Sequence, residues 1–262
     1  MDLCYRPLLF VRLWTRRLLA SAVYYGGGIK LYSRLSRDHA VVLMYHRVLD
    51  DTEAGDTVHP GMNVTREVFA KHLEYLSKNY CVVTLDQLHE WLLGRTDCPK
   101  TPCAITFDDG WEDNYRYAYP LLNKAGFPAT IFLITNQIGQ CGILTWGQVK
   151  EMESGGIAFG SHTATHTILE GRTDAEIRRE LKESTQRLRA ELVCPSEWFC
   201  YPKGQYDQIA YKIVKESYAG ALTTRRGVVR RGDDPFQLRR IGIHNDVSKT
   251  IPLFACRLTA LV

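Results

Sequence analysis

The residues best suited to chemistry are two pairs. Asp108 and Asp109 sit in the run Thr106-Phe107-Asp108-Asp109-Gly110, and His162 and His166 in Ser161-His162-Thr163-Ala164-Thr165-His166. One Asp and two His can bind a divalent cation and leave positions open for water and substrate. The second Asp then stays free to take a proton. Two adjacent carboxylates at a strand end repel one another and resist burial unless a cation compensates one of them. Taken alone, Asp108-Asp109 also reads as a helix N-cap pair, and a single histidine reads as a satisfied core residue. Both pairs in one chain favour a metal-dependent hydrolase.

Positioning them requires particular elements. Ala104-Ile105-Thr106-Phe107 predicts the end of a buried strand, Gly110 permits a sharp exit, and residues 111–125 predict a helix. Residues 155–160 predict a turn and a second strand ahead of His162, with Ser161 and Thr165 as candidates to fix the ring tautomers. Strand-like runs fall at 41–45, 81–84, 103–107, 129–134, 157–160, 197–201, 219–223 and 239–243, with helical patterns between most of them. Thr65 is a candidate N-cap, and Thr173-x-x-Glu176 a capping box. Such alternation predicts an α/β chain with a parallel sheet, open or closed into a barrel. Motif residues just after strands suit the C-terminal face of a barrel. Residues 49–62, rich in Asp, Gly and Pro, predict a substrate-side loop.

Over residues 40–243 these motifs resemble those of the polysaccharide deacetylases of carbohydrate esterase family 4, the NodB-homology domains. The resemblance implies a distorted (β/α) barrel of about seven parallel strands, with an N-terminal helical appendage ahead of it. It also implies Asp108 as the catalytic base and Asp109, His162 and His166 as metal ligands. The family's third motif, Arg-x-Pro-aromatic-Gly, corresponds to Cys200-Tyr201-Pro202-Lys203-Gly204, so the arginine that orients the base is absent from its usual place. Its role passes to Arg239 or Arg240, or is unfilled. Tyr201, Pro202, Lys203 and Trp111 are expected beside the substrate, with the Lys203 N–H as an oxyanion donor. The family's last motif is a hydrophobic strand ending in the histidine that serves as general acid. Val41-Val42-Leu43-Met44-Tyr45-His46 matches it better than the stretch ending at His244. That order resembles the circularly permuted poly-N-acetylglucosamine deacetylases and makes His46 the expected acid, with His244 the lesser candidate.

The implied activity is removal of N-acetyl groups from a polysaccharide or glycan precursor containing N-acetylglucosamine. Zinc is the default metal; cobalt, nickel or manganese suit the same nitrogen and oxygen ligands. Two other readings stand beside it. One is a metal-dependent amidohydrolase acting on a small amide or cyclic imide. The other, motivated by the missing arginine, is a glycan-binding protein with a vestigial site.

A chain of 262 residues with 45% hydrophobic content suits one barrel-sized domain, placed at 39–262 after a basic amphipathic segment at 1–38. A net charge of +4 argues against a dedicated nucleic-acid binder. The pairs Arg225-Arg226, Arg230-Arg231 and Arg239-Arg240 read as a solvated surface, or as a patch for an acidic glycan or an anionic membrane. Eight cysteines at irregular spacings form no zinc module; Cys81, Cys103 and Cys200 read as small core residues, and a reducing compartment follows. In residues 8–25 the apolar run is broken by Arg12, Arg16 and Arg17, unlike a spanning helix or a cleavable signal peptide. It reads as a basic amphipathic helix, lying on a membrane surface or packed on the barrel. The expected location is cytoplasmic or peripheral to the membrane.

Overall fold

Short β-branched and aromatic runs ended by turn residues form a ring of parallel strands. The computed structural model of the chain describes residues 6–35, 38–50, 52–53 and 60–259. Its strands are β1 (Val41–Tyr45), β2 (Arg47–Leu49), β3 (Asn63–Thr65), β4 (Cys81–Val82), β5 (Pro102–Phe107), β6 (Ala129–Leu133), β7 (Ile157–Ser161), β8 (Trp198–Cys200), β9 (Gly220–Arg226) and β10 (Leu238–Gly242). The helices are α1 (Arg6–Tyr25), α2 (Gly28–Leu35), α3 (Arg66–Asn79), α4 (Leu85–Leu92), α5 (Tyr119–Ala125), α6 (Trp146–Ser154), α7 (Asp174–Glu191), α8 (Gln208–Ser217), α9 (Asn245–Ser248) and α10 (Ile251–Leu258).

Strands β5 to β10 pair in sequence order, and β1 closes the circle by pairing with both β5 and β10. Seven parallel strands thus form a closed barrel. The strand expected at 81–84 is real but lies outside the ring: β4 pairs with Pro102 and Cys103 at the start of β5, whereas β6 pairs with Thr106 and Phe107 at its end. Sharing one β5 edge between two neighbours is what distorts the barrel. The expected loop at 49–62 instead begins and ends in a two-stranded parallel sheet, β2 with β3. Its residues 51 and 54–59 lie outside the described residues.

Alternation along each strand sorts side chains inward and outward. Val42, Ala104, Phe132, Trp198, Cys200, Leu222 and Leu238 form the inner core, plugged by Leu85, Leu88 and Trp91 of α4. The other parity, including Leu43, Tyr45, Ile105, Phe107, Ile131 and Phe159, packs outward beneath the helices. Helix starts follow local chemistry. Thr65 caps α3, and Thr173 with Glu176 forms the capping box of α7. The helix expected at 111–125 is interrupted by a π-helical turn over Asn114–Ala118. Helix α1 packs on α10, burying Ala20 against Leu253 and Cys256.

Candidate active site

Asp108 and Asp109 leave β5 at the barrel mouth, where the backbone turns sharply. Asp109 is in the left-handed region (φ 75°), followed by Gly110 (φ 77°). A Cβ on Gly110 would lie 2.8 Å from Leu133 Cδ2, so the turn requires glycine there. The turn sends the two carboxylates to different partners.

Asp109 faces the histidines. Its Oδ1 lies 3.6 Å from Nε2 of His162 and 3.6 Å from Nε2 of His166. The His162 Nδ1–H donates to the Cys200 carbonyl (2.7 Å), which aims the Nε2 lone pair at Asp109. Trp111 Nε1–H donates to Asp109 Oδ2 (3.1 Å) and leaves Oδ1 directed at the rings. Donors held about 2.0–2.1 Å from one ion at tetrahedral angles lie about 3.3 Å apart. The observed spacing therefore fits a divalent cation held by Asp109, His162 and His166. Burial lowers the pKa of His166, and a charge on His162 lowers it further, which favours the neutral ligating form.

Asp108 points into the barrel. Arg240, fully buried, grips it in a fork: Nη1–H donates to Oδ1 and Nη2–H to Oδ2, each at 2.7 Å. The same guanidinium donates through Nε to the Thr223 carbonyl (2.9 Å) and through Nη1 to Thr106 Oγ1 (3.1 Å). Its Nη2 also approaches Cys200 Sγ at 3.0 Å. Burial pushes the Asp108 carboxyl up, but the Arg240 charge and hydrogen bonds outweigh it and hold the group well below the usual carboxylate range. Cys200, at the position where the third motif has its arginine, lies beside the guanidinium, which reaches Asp108 from β10. Arg239, of opposite parity, is exposed and does not contact Asp108.

His46 follows β1. Because Tyr45 pairs with Phe107, His46 and Asp108 leave adjacent strands at the same level. A positive charge on His46 would favour the Asp108 carboxylate. The His46 carbonyl accepts from Asn114 Nδ2–H (2.8 Å). Asp113 accepts from Val48 N–H (2.9 Å) and Arg47 Nε–H (2.7 Å), and the Arg47 guanidinium lies 4.4 Å from the centre of the Trp111 ring. The π-helical turn therefore braces both the His46 segment and Asp109. His244 begins α9, with Nδ1 3.6 Å from Asp246 Oδ2.

Some expectations change. Tyr201 and Pro202 are buried, and Tyr201 is stacked on Tyr206 at 4.2 Å. Lys203 is exposed with a left-handed backbone (φ 54°). Trp111 lies beside the expected metal ligand, through its hydrogen bond to Asp109. Ser161 and Thr165 do not touch the rings: Ser161 Oγ pairs with Ser184 Oγ and Thr165 Oγ1 with Glu180. Asp113, Asn114 and Glu180 carried no sequence signal beyond polarity near a motif.

A sequence model of the family "Polysaccharide deacetylase" matches residues 95–219. The Bacillus subtilis protein YxkH, assigned to the polysaccharide deacetylases, is 32% identical over 79% of this chain and 72% of its own length. The poly-β-1,6-N-acetyl-D-glucosamine N-deacetylase of Staphylococcus epidermidis is 26% identical over 83% of each chain. Among solved structures, the Streptococcus pyogenes deacetylase PplD in complex with acetate superposes with a TM-score of 0.75 at 27% identity, covering 84% of this chain and 98% of that one. IcaB from Ammonifex degensii does so with a TM-score of 0.73 at 28% identity, covering 83% and 97%. With its barrel, its Asp-Asp turn and its paired histidines, the chain belongs to the polysaccharide deacetylases of carbohydrate esterase family 4, hydrolases of amide carbon–nitrogen bonds.

Proposed function

We propose that the protein removes N-acetyl groups from a polysaccharide containing N-acetylglucosamine, with Asp108 as base and His46 as acid. The observation that carries this reading is the division of labour at the mouth. Asp109, His162 and His166 converge as one donor set, while Asp108 is separately held anionic by Arg240. When bound there, a divalent cation acidifies a water and polarises the acetyl carbonyl; zinc suits the donors best, with cobalt, nickel or manganese as alternatives. Asp108 takes the proton of the attacking water. The Lys203 N–H donates to the oxyanion as it develops. His46 protonates the departing amine, without which an amide nitrogen leaves poorly. The Arg240 fork supports this reading over a vestigial site, because Asp108 keeps a guanidinium partner although the third motif lacks one. Residues 1–38 serve as an appendage to the catalytic domain at 39–262, and the basic amphipathic segment at 8–25 meets an anionic membrane surface.

The decisive assay is acetate release from poly-β-1,6-N-acetylglucosamine and chito-oligosaccharides by zinc-loaded protein, with metal content measured alongside. Asp109→Ala, His162→Ala and His166→Ala should each lose the metal and most activity. Stoichiometric metal in any two of them sinks the ligand set. Asp108→Asn should keep the metal and lose about 10²–10⁴ in rate. His46→Ala should slow amide substrates far more than aryl acetates, whose leaving group needs little protonation. That selectivity appearing in His244→Ala instead would move the acid to His244.

A further inference from the structure

The loop that carries His162 and His166 is gripped from both sides. Thr163 N–H donates to Ser161 Oγ (3.3 Å). The next two amides, Ala164 N–H and Thr165 N–H, donate to a single oxygen, Oε2 of Glu180 on α7 (3.1 and 3.0 Å). The Thr165 hydroxyl donates to Oε1 of the same carboxylate (2.9 Å). On the opposite side, the amides of Thr135 and Asn136 donate to the Thr163 and Ala164 carbonyls (3.3 and 3.0 Å). Thr163 and His166 are both left-handed (φ 65° each). Non-glycine residues keep that conformation only where the surroundings over-determine it. Glu180 is only 6% exposed, and it is the one charged side chain in this set of contacts.

We propose that Glu180 is a positioning residue that holds His162 and His166 at the spacing a divalent cation requires. The inference rests on the metal-centre reading above and extends it to a side chain that touches neither ion nor substrate. Two consecutive N–H groups converging on one carboxylate oxygen form an anion-binding nest turned inward. Filling that nest from within the chain fixes the backbone on which both ring nitrogens depend. A loop fixed in advance loses little conformational freedom when the ion enters. Loss of such outer partners typically costs about 10–100-fold in metal affinity.

The test is the zinc dissociation constant of the full chain, measured by competition with a chromophoric chelator well below the melting temperature of every variant. Glu180→Asp keeps the charge but withdraws the carboxylate by one methylene, and should weaken zinc binding about 10–100-fold. Glu180→Gln keeps the reach and an oxygen for both amides, and should stay within about threefold of the parent, since its amide retains the shape of the contact. Leu181→Ala, the neighbouring core position, should lower the melting temperature while leaving zinc affinity unchanged. Parent-like affinity in Glu180→Asp overturns the proposal, as does equal weakening in Leu181→Ala. Should Glu180→Asp fail to fold, loss beyond about tenfold in Glu180→Gln overturns it instead, since reach is preserved there. A parent chain that binds no zinc overturns the metal centre itself, a result distinct from equal affinities among the variants.

Discussion

At the scale of single residues, the arginine paired with Asp108 is the most instructive. Adjacent Arg239 and Arg240 look interchangeable in the sequence, yet strand parity separates them: Arg240 shares its inward face with buried Leu238, and Arg239 does not. Buried and paired, Arg240 sets the ionisation of Asp108. In Arg240→Met, burial would act on Asp108 against only the lesser charges of His162 and His46, and its pKa would rise. As the proposed base, Asp108 must be ionised to work, so the acid limb of the kcat/KM profile should move to higher pH while the metal is retained. Breaking a buried pair should also cost about 3–5 kcal/mol of stability. An unmoved acid limb would remove Arg240 from the base's machinery. The Asp-Asp and His pairs were legible because each puts residue types that bind metals close together at the end of a predicted strand. Cys200's carbonyl and Glu180 were not legible, because any residue has a carbonyl and a glutamate on an amphipathic helix reads as solvent-facing.

At the scale of elements, capped helices and the longer strands were readable from periodicity and turn residues. The three-residue β2 and β3 carry too few positions to show a period. Nor does periodicity tell that β4 sits beside the ring rather than in it, since that depends on which edge of β5 it meets. Helix α1 is open to two readings in the sequence, and the structure shows the packing one. It packs on α10 through Ala20, yet Trp14, Leu18 and Tyr25, spaced to lie along one stripe, are 53%, 64% and 78% exposed. Arg17 is exposed beside them. Among the described residues no helix is long and apolar enough to cross a membrane. A stripe of this kind beside cationic side chains suits the interface of an anionic bilayer. The chain should co-sediment with vesicles containing phosphatidylglycerol more than with neutral ones, and Trp14→Ser with Leu18→Ser should reduce that binding severalfold. Equal recovery with both vesicle types would sink the electrostatic part of the idea.

At the scale of the whole molecule, stability should depend on pH through one buried histidine. His72 Nε2–H donates to the Ser248 carbonyl (2.8 Å), its Nδ1 accepts from the Tyr45 hydroxyl (3.1 Å), and the ring stacks on Phe254 at 3.8 Å. Burial lowers its pKa from 6.5 to about 4, only partly offset by the Ser248 contact. Unfolded chains take up this proton below pH 6.5 and folded ones only near pH 4, so its stabilisation is complete above 6.5 and is lost as pH falls between these values. The loss amounts to about 3 kcal/mol. Urea unfolding at pH 7, 5.5 and 4 should show a steeper decline in the parent than in His72→Gln; parallel declines would sink the assignment. The same barrel also implies an order of assembly. The first barrel strand, β1, is flanked by β5 and by β10, which arrives near the end of the chain. A growing chain can pair β1 with β5 early, but the ring stays open until its last strand is made. Contacts between such distant segments form slowly, because loop-closure entropy must be overcome first. Arg240 rides on that last strand, so Asp108 gains its guanidinium only at ring closure, and catalytic competence should appear with the slowest phase of refolding rather than with the bulk of secondary structure.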